Sequence, residues 1–576
     1  MTNSALVLGP MVRYVDDVSA SIWCETREAG QVTVIADGRP WQARTFAVHG
    51  HHYALVYVDG LQPDTTLPYT VLFHGEFDAE SNGELAWPAA HSTFPACVIA
   101  TLGDAHPLRL SFGSCRTSVP HDAEGNRTHG VDALRAYALR LASPANTVPR
   151  PDLILFLGDQ VYADLTTKKM QEFIRARRDI NEPPGKELAD FEEYAHLYCL
   201  AWTDEANRWL LSTVPTAMIF DDHDIRDDWN TSLSWKRKMA ATSWWRGRIT
   251  AGLASYWVYQ HLGNMSPEER ADDEIWQEIA AHDGVSELDI SSRLDAFAER
   301  CDREPTSYRW SYCRDFNDVR LIVVDSRAAR ELEPTRRALL DTVETDWLDQ
   351  RMRGGFRQLL IGTSLPFLLP PGLHHLESWD EAVSEGAWGK PAARVGEWLR
   401  RLVDLEHWAA FQHSFLDLSR MATEVADGQR GLSPQTVTFL SGDVHYSTVS
   451  EVERTSGSRI VQAVCSPIRN PLPVAMRSFS AVLSYGIATR LGELLARSAG
   501  VARPPFRWAG IRGPWFDNCL ASLEDTPAGL KLWWEKGVVH HGDHGHPSVE
   551  NVARLTLTPR RLPDSGHQHD LADVGG

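Results

Sequence analysis

Paired cysteines and long apolar runs are what this sequence most visibly lacks. Its eight cysteines in 576 residues include no CxxC pair, so neither a disulfide framework nor a zinc ribbon is in prospect. No apolar stretch approaches the roughly 18 residues that suggest a membrane span. The opening MTNSALVLGPMVRYVDD has no basic region, no apolar core and no twin arginine. The sequence as it stands therefore reads as cytoplasmic, or as exported had a leader been removed. Positive charge is also in deficit. With 57 basic and 77 acidic residues the net charge is −20, which argues against nucleic acid as a specific partner and against anionic membranes by default. No internal repeat is present.

The rest is an ordinary soluble mix, 43% apolar and 23% charged, in a chain longer than one core usually fills. Residues 1–100 alternate apolar with polar positions in SASIWCET, QVTVIA, HYALVYVDG and PYTVLFHG, with Gly, Asp and Pro between them. That pattern predicts a small all-β sandwich, and Leu61 to Val71 (LQPDTTLPYTV) resembles the tyrosine-corner stretch of fibronectin-III domains. Packing against its neighbour is the expected role. Residues 101–537 switch to short apolar runs alternating with long helical patterns, the mark of an α/β domain. Predicted strands are LRLSFGS, DLILFLGD, TAMIFDD, VRLIVVDS, RQLLIGTS and TVTFLSGD. Predicted helices cover Met170 to Arg178, Lys236 to His261, Glu344 to Arg353 and Gly396 to Ala426. The acidic stretch Ser266 to Glu304 reads as a surface insertion. Residues 538–576 carry His541, His544 and His546 among Gly, Pro and Asp, and read as a partly flexible tail rather than a metal site.

Four strands end in residues able to hold a metal or a phosphate: SFGSCRT (Ser111 to Thr117), LGDQVYAD (Leu157 to Asp164), FDDHDIRDDWN (Phe220 to Asn230) and SGDVHYS (Ser441 to Ser447). One such ending is usually just a turn. Four together converge, because α/β sheets gather their sites at the carboxyl ends of strands. Carboxylates crowded in a cleft repel one another unless cations compensate them. Asp443 and His445, two apart, would point the same way on an extended strand end, and the neighbours Asp221 and Asp222 would divide ligation between them. Arg116 and Arg226 have the fork that matches phosphate oxygens. His223 is a ligand or an acid catalyst. A metal pair would lower the pKa of a bound water from about 15.7 to about 7 and clamp an in-line displacement at phosphorus.

These four motifs, with VVDSRAAR from Val323, resemble the PhoD-type alkaline phosphatases of the calcineurin-like metallophosphatase superfamily. The resemblance implies a metallophosphatase-like sandwich of two mixed β-sheets flanked by helices, preceded by the small fibronectin-III-like domain. It implies metal ligation by Cys115, Asp159, Tyr162, Asp221, Asp222, Asp443 and His445, with Fe3+ and Ca2+ as the ions and Zn2+ or Mn2+ as alternatives. His223 would assist the reacting phosphate, and Arg116, Arg327 and Arg226 would contact it. The implied function is hydrolysis of small phosphate monoesters or diesters by metal-bound hydroxide. A narrower alternative is phospholipase-D-like diester specificity; an alternative of another class is a non-catalytic, metal-stabilised scaffold that binds a partner.

Overall fold

The computed structural model describes residues 4–75, 83–282, 286–334, 336–472 and 486–559. The N-terminal domain is two facing antiparallel sheets. One joins the strands Leu6–Val15, Ala20–Thr26, His51–Val58 and Phe46–Val48; the other joins Arg39–Arg44, Gly30–Ala36, Thr66–Gly75 and Glu84–Trp87. Its core of Val12, Ile22, Val34, Val56 and Val71 is the inward half of the alternation in the sequence. The tyrosine-corner likeness takes a different form here. Tyr69 is buried, but its hydroxyl donates to the Ser212 carbonyl of the second domain at 2.7 Å rather than within its own sandwich.

Seven strands of the second domain place the site: β1 (Arg109–Gly113), β2 (Leu153–Leu157), β3 (Thr216–Ile219), β4 (Val319–Val324), β5 (Gln358–Thr363), β6 (Thr436–Ser441) and β7 (Arg459–Val464). β3, β2 and β1 run parallel in one sheet, which continues antiparallel through Cys519–Thr526, Gly529–Val538 and Ser548–Leu557. β4, β5, β6 and β7 run parallel in the other, edged by antiparallel strands. Leu155 and Leu157 of the first sheet pack onto Gly362 of the second, so the two sheets share a core. Every residue of β2, β3, β5 and β6 is buried, which explains runs as unbroken as LILFL. Each such leucine contributes about 1.5–3 kcal/mol through burial.

Several boundaries differ from expectation. The helix predicted over Gly396 to Ala426 is two: Lys390–Leu402 and Gln412–Ala426. Between them the chain turns at Asp404, in the left-handed region, and carries Glu406 and His407 inward. The helix predicted over Lys236 to His261 divides into Leu233–Ala240 and Trp245–Tyr256 with a π-turn after it. Thr242 ends the first by bonding back to the Met239 carbonyl. The acidic insertion folds into helices Pro267–Asp272, Glu274–Ala281 and Ser291–Arg303, and its Leu288–Asp289 pairs with Phe46–Ala47 of the N-terminal sheet. The tail also proves partly structural. Ser548–Leu557 is the edge strand of the second domain's first sheet, and His544 meets the Asn126 amide at 3.0 Å. Residues 560–576 lie outside the described residues.

Candidate metal centre

The carboxyl ends of both sheets meet at one place, and the sequence enforces the meeting through glycine. A Cβ on Gly158 would lie 2.5 Å from the Cβ of Asp221, and one on Gly442 would lie 2.1 Å from Ser114 Oγ. Only glycine lets the turns after β1, β2, β3 and β6 approach this closely. Backbone bonds then join them: Cys115 N–H donates to the Gly158 carbonyl, Arg116 N–H to that of Asp159, and Ile468 N–H to that of Ser114. Cys115, Asp159, Asp443 and His445 all sit at positive φ, between 50° and 63°. Non-glycine residues held there cost roughly 1–3 kcal/mol each, a pattern that concentrates at functional sites.

Three overlapping groups of candidate ligand atoms result, each with all its atoms within 4.8 Å of one another: Cys115, Asp159 and His445; Asp159, Asp222 and His223; Asp159, Asp221, Asp222 and Asp443. Asp159 belongs to all three. Cys115 Sγ lies 3.3 Å from Asp159 Oδ2, and the Tyr162 hydroxyl is 3.3 Å from the same oxygen. Asp443 and His445 do not lie on an extended strand end, as their spacing suggested. Both have left-handed backbone beyond the end of β6, and they serve different groups.

The electrostatics are those of an acid cluster short of cations. Burial first, then neighbouring carboxylates, push Asp159 and Asp221 well above the usual carboxylate range, against the pull of His223 and Arg327 respectively. Burial also raises Asp222, the Cys115 thiol and the Tyr162 phenol. Asp159 Oδ1 and Asp221 Oδ2 are buried and accept no hydrogen bond among the described residues. Orphaned oxygens of this kind, among a thiol, a phenol and imidazoles, fit a polynuclear metal centre.

Arg327 is fully buried and already spends its fork on acids. It pairs Nε with Asp221, Nη1 with Glu406 at 2.5 Å and Nη2 with Asp222 at 3.1 Å. The other two arginines expected at phosphate are committed elsewhere. Arg116 directs Nε and Nη2 to Asp132 at 3.0 and 2.8 Å and Nη1 to the Ala201 carbonyl. Arg226 closes its fork on Glu187 at 2.8 and 3.0 Å. A strand-end arginine flanked by ligands looks the same in sequence whichever way its side chain turns.

His223 comes to the centre with its orientation fixed. Its Nδ1 bonds Asp164 at 2.9 Å, and Asp164 also accepts the Asp227 N–H. Burial disfavours the imidazolium, but Asp164 and Asp222 outweigh it and raise the pKa well above the ordinary value. Three further groups escaped the sequence reading. Asp224 accepts the N–H groups of Asp159 and Asp221 at 2.9 Å, locking two ligand turns together; the only signal was the last D of DDHD. His407 bonds Asp443 at 2.9 Å through Nε2 and Glu377 at 2.7 Å through Nδ1. Glu406 holds Arg327 and Arg330. Nothing in LEHW marks these last two, because they enter from an interhelical turn.

Against known proteins, residues 133–478 match the model of the PhoD-like phosphatase family. The chain belongs to the PhoD-like phosphatase family. It is thus a member of a family of metal-dependent phosphatases, and the matched segment contains every candidate ligand except Cys115. Residues 3–99 match a domain of unknown function, DUF7800. Among solved structures, one titled "Structure of PhoD" aligns over 96% of this chain and 90% of its own, with 13% identity and a TM-score of 0.56, so this PhoD-like chain shares its fold. A type III pullulan hydrolase from Thermococcus kodakarensis, at 10% identity over 92% of this chain and 93% of its own, reaches a TM-score of only 0.13. No curated protein matches the sequence.

Proposed function

We propose that this PhoD-like phosphatase hydrolyses small phosphate monoesters or diesters at a centre built on Asp159. The observation that carries the reading is the membership of Asp159 in all three groups of candidate ligands. Cys115, Tyr162 and His445 with Asp159 would hold one cation, and Asp159, Asp221, Asp222 and Asp443 a second. A buried thiol and phenol whose pKa values are pushed up ionise only beside a strong Lewis acid, which favours Fe3+ for the first position. The all-carboxylate set suits a hard ion such as Ca2+. Such a pair supplies Lewis acidity and lowers the pKa of a coordinated water to about 7.

The chain's own residues supply the rest. Asp224 holds the two ligand turns at fixed separation. His223, fixed by Asp164, holds a proton beside Asp159 and Asp222 and would deliver it to the departing alkoxide. Arg327 balances the charge of Asp221, Asp222 and Glu406 and keeps their carboxylates turned toward the centre. The test is hydrolysis of nitrophenyl phosphate and bis-nitrophenyl phosphate by the purified protein, with elemental analysis and a visible spectrum. Asp159→Asn should lose activity well beyond the roughly 10–100-fold that outer partners cost, and should lose bound metal with it. Full turnover in the variant would refute the centre. A colourless, iron-free yet active protein would refute only the ferric assignment.

A further inference from the structure

Beside the centre, two helices turn apolar side chains outward. Helix α1 (Lys390–Leu402) and helix α2 (Gly486–Ser498) both pack on the helix Pro371–Ser384. Gly396 of α1 meets Asp380 and Ser384, and Gly492 of α2 meets Gly372 and His375. Trp388, just before α1, donates to the Ser498 carbonyl at the end of α2. Opposite its buried face α1 carries Val395, Trp398 and Leu402, exposed by 63, 58 and 58%. The spacing of three and four residues makes them a single stripe. Leu491 and Leu494 of α2 are exposed by 59 and 61%.

A row of cations runs along the apolar stripe. Lys390, Arg394 and Arg401 are spaced four and seven residues apart, so they share one line of the helix, next to the tryptophan. None of the three lies within ion-pair reach of a carboxylate among the described residues, in a chain whose net charge is −20. Trp and Leu on one face, with Lys and Arg beside them, is the arrangement of helices that lie in the headgroup plane of a bilayer. A self-complementary dimer would bury this same patch on both copies and so bring two cation rows into one interface.

We propose that the α1–α2 flank docks this protein peripherally on an anionic lipid surface. The docking is separate from the chemistry proposed above, but the geometry joins the two. Four and five residues after α1 the chain reaches Glu406 and His407, which contact Arg327 and Asp443. Glu397 of α1 also accepts from Ser232 at 2.5 Å. A surface bound by α1 therefore lies close, along the chain and through Ser232, to the turns that build the centre. The general acidity of the chain, which disfavours such a surface, is reversed locally.

Vesicle co-sedimentation of the full chain, without substrate, tests this. Vesicles with roughly a third phosphatidylglycerol should bind about tenfold more tightly than pure phosphatidylcholine, and added salt should weaken the binding. Trp398→Ser with Leu402→Ser should lose most of it, while hydrolysis of a soluble nitrophenyl diester stays unchanged. If that pair melts early, Lys390→Glu with Arg394→Glu, both exposed, serves instead and should abolish the preference for phosphatidylglycerol. Wild-type protein that ignores both vesicles overturns the proposal. So does equal binding by wild type and variants. A dimer in solution that Trp398→Ser dissolves, with no vesicle binding, would assign the face to a second copy and overturn it as well.

Discussion

Two regions of this molecule bury polar groups, and they do so in opposite ways. At the seam between the domains, Arg13 is fully buried and donates to the carbonyls of Tyr259 at 3.2 Å and Gln260 at 2.5 Å. His51 bridges Glu25 and Glu192 at 3.0 and 2.9 Å, and Tyr259 hydrogen-bonds both Tyr53 and Glu25. The Glu25 carboxylate there is matched on both oxygens, and the groups left over are mainly donors, Arg13 Nε among them. At the metal centre, carboxylate oxygens are left without a partner, backbone is held at positive φ, and one arginine serves several acids. At the seam the buried carboxylate is matched by donors of the protein, whereas at the centre carboxylate oxygens stand ready to bind a cation. Burial of charge thus says little by itself; the state of its partners separates a joint from a site.

The largest effect that would sharpen this contrast is expected at His223. Its substitution, His223→Gln, keeps a hydrogen-bonding side chain but removes the proton donor. On an alkyl phosphate, whose leaving group needs a proton, kcat should fall by about 10²–10⁴-fold. On a nitrophenyl ester, whose leaving group departs as a stable anion, the loss should be far smaller. Equal losses on both substrates would make His223 a ligand rather than an acid, and metal content per chain would then fall too.

At the seam the expected outcome is a stability effect alone. Arg13→Met leaves the carbonyls of Tyr259 and Gln260 unpaired in a dry interface, at a cost of about 1–3 kcal/mol. The melting temperature should drop while kcat per folded molecule holds. The contrast is not absolute, because the Gln260 side chain donates to Asp224 at 3.2 Å, and Asp224 locks the ligand turns. Asp224 also accepts the N–H groups of Asp159 and Asp221, and these should hold it in place. If kcat falls along with the melting temperature, seam and site are one unit and the comparison breaks.

The same contrast explains which parts the sequence could disclose. Strands such as LILFL and TVTFLS are buried on every residue, so an unbroken apolar run announces them. Ligand candidates sit directly after those strands, where a Gly-Asp or Asp-Asp pair marks the turn. Arg116 and Arg226 were legible as residues but not as contacts, because only the fold decides that Asp132 and Glu187 lie within reach. Glu406 and His407 enter from a break inside an apparently continuous helical pattern, and no local signal distinguishes that break from a helix. The tail strand Ser548–Leu557 was hidden by its exposed, polar edge position, which blunts the alternation a strand normally shows.

The smallest effect concerns a buried histidine belonging to neither region. His374 packs between Phe415 and Trp508, with ring centroids at 4.6 and 4.9 Å, and neither ring nitrogen has a hydrogen-bond partner among the described residues. Burial lowers its pKa to about 3, against about 6.5 in an unfolded chain. Between those values the unfolded state binds a proton that the folded state refuses. Stability is therefore intact above about pH 6.5 and falls on acidification by about 1.4 kcal/mol per unit from this group alone. His374→Phe fills the same aromatic slot without a titrating group. Urea unfolding of the two proteins between pH 7 and 5 should show the variant gaining relative stability at that slope as pH drops. Parallel pH profiles would mean that His374 gains a proton without unfolding, and that its pocket is open to water.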